Sequence, residues 1–175
     1  MKQARLVLLS FAILFAACSP GVRERLIGSW RADSVQKASM DSFFQKSQRY
    51  IDTVGKNNDP ETNMRLYGVT NMDSVRRLLQ QQFDSAKALQ INAVTNTVFK
   101  FRKDSVAVLS FNGNLDSSKW SVENNNTILM QDMNGGKAEG DRVKMDILVL
   151  TDKMLKVKLV EDTEVSIVTF HPEGK

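Results

Sequence analysis

Apolar and polar residues alternate along the second half of the chain. From 96 to 172 the sequence reads as seven short runs: TVFKFRKD, SVAVLSFNG, SKWSVEN, NTILMQDM, DRVKMDILVL, MLKVKLVE and TEVSIVTFHP. A period of two, rich in Val, Ile, Phe and Thr, marks strands with one buried face. Asn112-Gly113-Asn114 and Asn124-Asn125-Asn126 supply residues that tolerate tight turns. Asn134 to Gly140 is expected to be a longer flexible loop. Leu148 and Leu150 break the alternation of the fifth run, so its outer face is expected to be covered, with the helices as candidates. An eighth strand is expected upstream, over Leu26 to Ala32.

Between that strand and the seven runs the period changes. Val35, Ala38, Phe43, Phe44, Ser47, Tyr50, Ile51 and Val54 recur mostly at three and four residues, one stripe of a helix. Asp33 or Ser34 could cap its start, and Gly55 with Asn57-Asn58-Asp59-Pro60 ends it. Glu61 to Tyr67 is a short helical turn closed by Gly68. A second stripe runs through Met72, Val75, Leu78, Leu79, Phe83, Ala86, Leu89 and Ala93, with Thr70 or Asn71 as its cap. The expected fold is mainly β with a helical insertion (α+β). It is an antiparallel up-and-down barrel or half-barrel of about eight strands, with two helices over 37–94 between strands 1 and 2. Neither stripe can stay bare in water. The pair packs on the barrel, caps one of its ends, or serves as a lid or partner-binding arm.

The first seventeen residues stand apart. Lys2 and Arg5 precede an apolar run from Leu6 to Phe15, and Ala16-Ala17 leads into Cys18. This is a secretory signal, too short for a spanning helix. Its removal takes away two basic residues and lowers the net charge from +4 to +2. The remaining charges are dispersed, which excludes a nucleic-acid-binding stripe. Cys18 is the lone cysteine, so no disulfide forms within the chain.

Leu14-Phe15-Ala16-Ala17-Cys18 resembles a bacterial lipoprotein signal, which implies cleavage before Cys18 and lipidation of its thiol. Acyl chains would hold the protein to a membrane of the bacterial cell envelope. Ser19-Pro20-Gly21 lacks the acidic sorting residues some lipoproteins carry, pointing to a periplasm-facing anchor rather than surface display. Gly28-Ser29-Trp30, the hairpin from Thr97 to Val106, Lys119 to Glu123 and the pair around Leu155-Lys156-Val157 together resemble bacterial lipocalin-like domains. Such domains are common in lipid-anchored proteins of the Bacteroidetes type. Two departures stand out. Some sixty residues separate strands 1 and 2, and no Arg near His171 matches the one that stacks on the signature Trp in true lipocalins. The resulting division is a signal peptide over 1–17, a tether over 18–25 and a lipocalin-like domain over 26–175.

The resemblance implies a place for a small apolar ligand. An eight-stranded barrel is wide enough to hold one or to fill with side chains. Trp30, Phe99, Phe101, Trp120, Met130, Met145 and Val157 either line that cavity or form a solid core. No catalytic constellation stands out, so a non-catalytic protein without cofactor is expected. His171 is the single histidine, and no metal-ligand set surrounds it in sequence. The alternative to ligand binding is a structural or interaction module that uses the helical pair to bind another envelope protein.

Overall fold

The computed structural model describes residues 20–134 and 137–174. The expected signal peptide and Cys18 lie outside these residues. Within them, eight strands form a closed barrel: β1 (Gly28–Lys37), β2 (Val98–Phe101), β3 (Val106–Phe111), β4 (Asn114–Glu123), β5 (Thr127–Asn134), β6 (Lys137–Leu150), β7 (Leu155–Glu161) and β8 (Glu164–Pro172). Each strand pairs antiparallel with its sequence neighbours, and β8 returns to β1. All seven downstream runs are strands, and the ring closes fully. Asn112, Asn124 and Asn125 adopt positive φ at the hairpin turns, as their short polar side chains allow.

Four expectations need correction. First, the tether does not extend through residue 25. Val22–Leu26 forms a short helix, α1, and Leu26 is 0 % exposed. Leu26, expected to open the first strand, instead ends α1 with its apolar side chain buried against the barrel, and β1 starts at Gly28.

Second, β1 runs on to Lys37. Asp33 and Ser34 cap nothing and sit at a bulge where the register with β8 shifts. Pairing of Ser34 with Thr169 and of Lys37 with Ser166 keeps this stretch extended. Ladder hydrogen bonds thus win over a local side-chain cap.

Third, the insertion holds three helices: α2 (Ala38–Thr53), α3 (Pro60–Tyr67) and α4 (Asp73–Thr95). The residues expected to make a brief turn complete α3. Asp59 accepts from the Thr62 backbone N–H at 2.8 Å, Pro60 starts the helix, and Gly68 closes it in the left-handed region. Asn71 accepts from the backbone N–H of Asp73 at 2.8 Å and so helps start α4.

Fourth, Lys137–Gly140 belongs to β6 rather than to a long loop, and pairing reaches Asn134 opposite Lys137. The outer face of β6 is not covered by the insertion, whose α2 and α4 pack on β1, with α2 also on β8. A bulge between Ile147 and Val149 explains the broken alternation. It turns Leu150 toward Leu155 and leaves Leu148 exposed.

β2 has only four residues, so the far half of β1 pairs with β8 alone. The C-terminal part of α4 lies beside that half. Ile91, Val94 and Thr95 face Ser34 and Val35 there, and Val94 packs on the barrel core. Toward its other end the arm has a small core of its own from Ile51, Val54 and Met72.

Candidate functional site

The strand registers fix which side chains face the barrel axis. Trp30 lies opposite Phe99, Ala107 opposite Ser118, Trp120 opposite Met130 and Met145 opposite Ile128. Inward rows therefore run Phe99–Phe101, Ala107–Leu109, Asp116–Ser118–Trp120–Val122, Ile128–Met130–Asp132 and Leu155–Val157–Leu159.

At one end these rows carry large side chains. Trp30, Phe101, Trp120, Ile128 and Leu155 are all essentially buried. Phe101 meets Trp120 edge-on at 5.0 Å, and Phe99 meets Phe170 at 5.6 Å. α1 seals this end. The Trp30 indole N–H donates to the Leu26 carbonyl at 2.8 Å, and the Trp120 indole N–H donates to the Arg102 carbonyl at 3.1 Å. The Arg23 guanidinium lies 4.6 Å above the Trp120 ring and also donates to the Ser105 hydroxyl at 3.0 Å. Arg25 donates to the Leu150 carbonyl. An Arg–Trp stack thus exists, on Trp120 and from the chain's beginning rather than from near His171.

At the other end the rows shrink and become polar. A cavity of ≈ 720 Å³ opens there. Phe99 and Met145 lie at its base, with Leu109, Met130 and Leu159 along the wall and Val143 among its lining. Asp116, Ser118 and Asp132 add oxygen atoms. Ser118 is buried, and its hydroxyl donates to Asp132 at 3.3 Å.

On the β1–β8 side of the rim, Lys37 pairs with Glu164 at 2.8 Å. The hydrogen bond and charge of Glu164 raise the Lys37 ammonium above its usual range. Hydrogen bonds from Lys37 and then Ser39 hold the Glu164 carboxyl below the usual carboxylate range.

Six of the seven sequence candidates, Trp30, Phe101, Trp120, Met130, Met145 and Val157, belong to the packed core, and Phe99 packs against it. Phe99, Met130 and Met145 also line the cavity, at the boundary between the two ends. Cys18 lies outside the described residues. Leu109, Asp116, Ser118, Asp132 and Leu159 were not among the candidates, although the parity of Ile128 and Met130 already points Asp132 inward.

No protein-family model matches this chain, and no curated protein does either. A solved structure of a DUF4847 family protein from Bacteroides vulgatus is similar, with a TM-score of 0.46 and 11 % identity over 89 % of this chain and 99 % of that one. At that distance it bears on neither family nor function.

Other concavities lie outside the barrel. The α2–α4 face carries an open groove of ≈ 530 Å³ lined by Phe43, Phe44, Leu79 and Phe83. Phe44 and Phe83 meet edge-on at 5.8 Å, yet Phe43 remains 61 % exposed and no residue of α4 is buried. A pocket of ≈ 350 Å³ on the β4–β6 wall is lined by polar groups such as Lys119, Gln131 and Arg142. Among the described residues no three His, Cys, Asp or Glu side chains cluster as a metal site would need.

Proposed function

We propose that this protein is a lipid-anchored, non-catalytic envelope protein whose lipocalin-like barrel holds a small, largely apolar ligand. The observation that carries the reading is the ≈ 720 Å³ cavity at the open end of the barrel. Its size falls in the range of small-molecule sites, and its walls are mainly aliphatic, aromatic and Met side chains. The opposite end supports the reading, because a core this well packed lets the barrel stand without filling its mouth.

The anchor is Cys18, acylated after cleavage of residues 1–17. Three residues, Ser19 to Gly21, separate Cys18 from Val22, a reach of roughly 14 Å at full extension. The sealed end would then sit against the membrane, with the mouth turned away from it. Replacing Cys18 by Ser should move the protein from the membrane fraction to the soluble one. If the variant stays with the membrane as firmly as the parent, lipid anchoring is wrong.

The ligand reading is tested on residues 20–175, which hold the barrel, α1 and the helical arm. A neutral, environment-sensitive dye such as N-phenyl-1-naphthylamine should bind saturably with one site per chain. A linear, non-saturating signal would sink the cavity reading.

A second reading rests on the groove of α2 and α4, where Phe43 lies open. There the arm would hold an envelope protein. Phe43→Ser together with Phe83→Ser should release a co-purifying partner without touching dye binding. Retention of every partner would remove that reading.

A further inference from the structure

The cavity carries a charge signature as well as a shape. We infer that it selects an apolar ligand bearing a positive charge, an ammonium group on an alkyl or aromatic body. The inference rests on the ligand-binding reading above and names the class of ligand that site takes.

Asp116 and Asp132 are the charged side chains among the cavity's lining, and both are acids. Asp132 stands opposite Ser118 in the β4–β5 ladder, and Asp116 is the next inward residue of β4. The two residues are therefore diagonal neighbours on one inner wall, their Cα atoms roughly 7–8 Å apart along the sheet. The Ser118 hydroxyl holds Asp132 from below at 3.3 Å. Leu109, Met130 and Leu159 supply the apolar wall beneath them. A ligand with its apolar body on that wall would place its head between the two carboxylates.

The rest of the rim agrees. Glu161 and Glu164 share the inward row of the β7–β8 hairpin, and Lys37, the base beside them, is paired with Glu164. The outward rows of β2, β4, β6 and β7 hold Lys100, Lys119, Lys144, Lys156 and Lys158, as their register partners show. These five lysines thus face outward, while Asp116, Asp132, Glu161 and Glu164 stand at the mouth. A fatty-acid carboxylate or a phosphate would meet like charge there. An ammonium group would meet opposite charge, with the field concentrated by the concave apolar wall.

The test uses residues 20–175 and three ligands of one chain length below their micelle concentrations. These are dodecyltrimethylammonium, dodecanol and dodecanoate, each competing with bound N-phenyl-1-naphthylamine. The cation is expected to displace the dye about tenfold more effectively than the anion, as two partly exposed ion pairs allow. The preference should shrink as salt is raised toward 1 M, where screening reaches about 3 Å. Asp116→Asn with Asp132→Asn should bring the three ligands together. Asn keeps an acceptor for Ser118, and urea unfolding at the parental midpoint reports a folded variant.

If the anion competes as well as the cation, or the preference survives both substitutions, the charge inference is overturned and the cavity stands. The salt series on the unaltered protein decides the matter independently of any variant. Failure of the dye itself to bind would overturn the cavity reading and this inference with it.

Discussion

The two ends of this barrel are made from the same eight strands and differ first in what the inward rows carry. At the sealed end Trp30, Phe101, Trp120 and Leu155 meet across the axis and exclude water. At the open end the same rows continue as Ser118, Asp116 and Asp132, too small or too polar to fill the space. An eight-stranded ring is near the size at which side chains just fill it. Side-chain volume along each row, rather than backbone topology, therefore decides whether a given level is core or cup. α1 adds to the asymmetry by plugging one end, whereas the helical arm springs from the rim of the other and lies along β1 without closing it.

Breaking the sealed end should have the largest effect. Trp120→Ala removes a fully buried indole that touches Phe101, the Arg102 carbonyl and Arg23. Urea unfolding should show a loss of about 3–5 kcal/mol. A loss under about 1 kcal/mol would mean this end is not the core. Leu26→Ala should follow at about 2–5 kcal/mol, because the side chain is wholly enclosed by the barrel. A tether residue would give almost nothing, so this variant separates plug from linker. Arg23→Ala should cost about 1 kcal/mol through the lost stack on Trp120 and its hydrogen bonds. Its effect should largely vanish in the Trp120→Ala background.

The smallest effect belongs to the rim. Glu164→Gln removes the pair with Lys37. Glu164 is held below its ordinary value, so its contribution is present above the usual carboxylate range and fades as pH falls through its lowered value. Lys37 is held above its ordinary value, so its share is complete below the usual Lys range and fades as pH rises through the raised one. A slight stability difference between parent and variant should therefore appear near neutral pH and disappear in acid. A difference that persists at about pH 2 would rule out the ion pair as its source.

Much of the barrel was legible in the sequence because strand alternation and turn residues are local signals. Asn112-Gly113 and Asn124-Asn125 announce their hairpins from the residues themselves. The far half of β1 was not legible. Asp33 and Ser34 suit a helix cap and a bulge equally, and only their pairing with β8, about 135 residues away, decides between the two. α1 was hidden for a similar reason. Five residues carry no periodic signal, and Leu26 is explained only by the barrel it plugs. The cavity was half visible: Phe99, Met130 and Met145 followed from alternation, but Asp116 stood outside the run recognised as β4, which begins four residues earlier at Asn114. Whether a row ends in core or in open space depends on what faces it across the ring, and no local pattern carries that.

In the proposed function the open end holds a ligand while the sealed end holds the fold. Val143 is exposed at the mouth and borders the cavity, so Val143→Trp should obstruct its entrance with little effect on stability. The direct measurement is a titration of N-phenyl-1-naphthylamine into the parent and this variant, with urea unfolding of each. Saturable binding to the parent, lost in a variant of parental stability, is the expected result. Saturable binding that the Trp leaves unchanged would contradict it, as would no saturable binding to the parent at all.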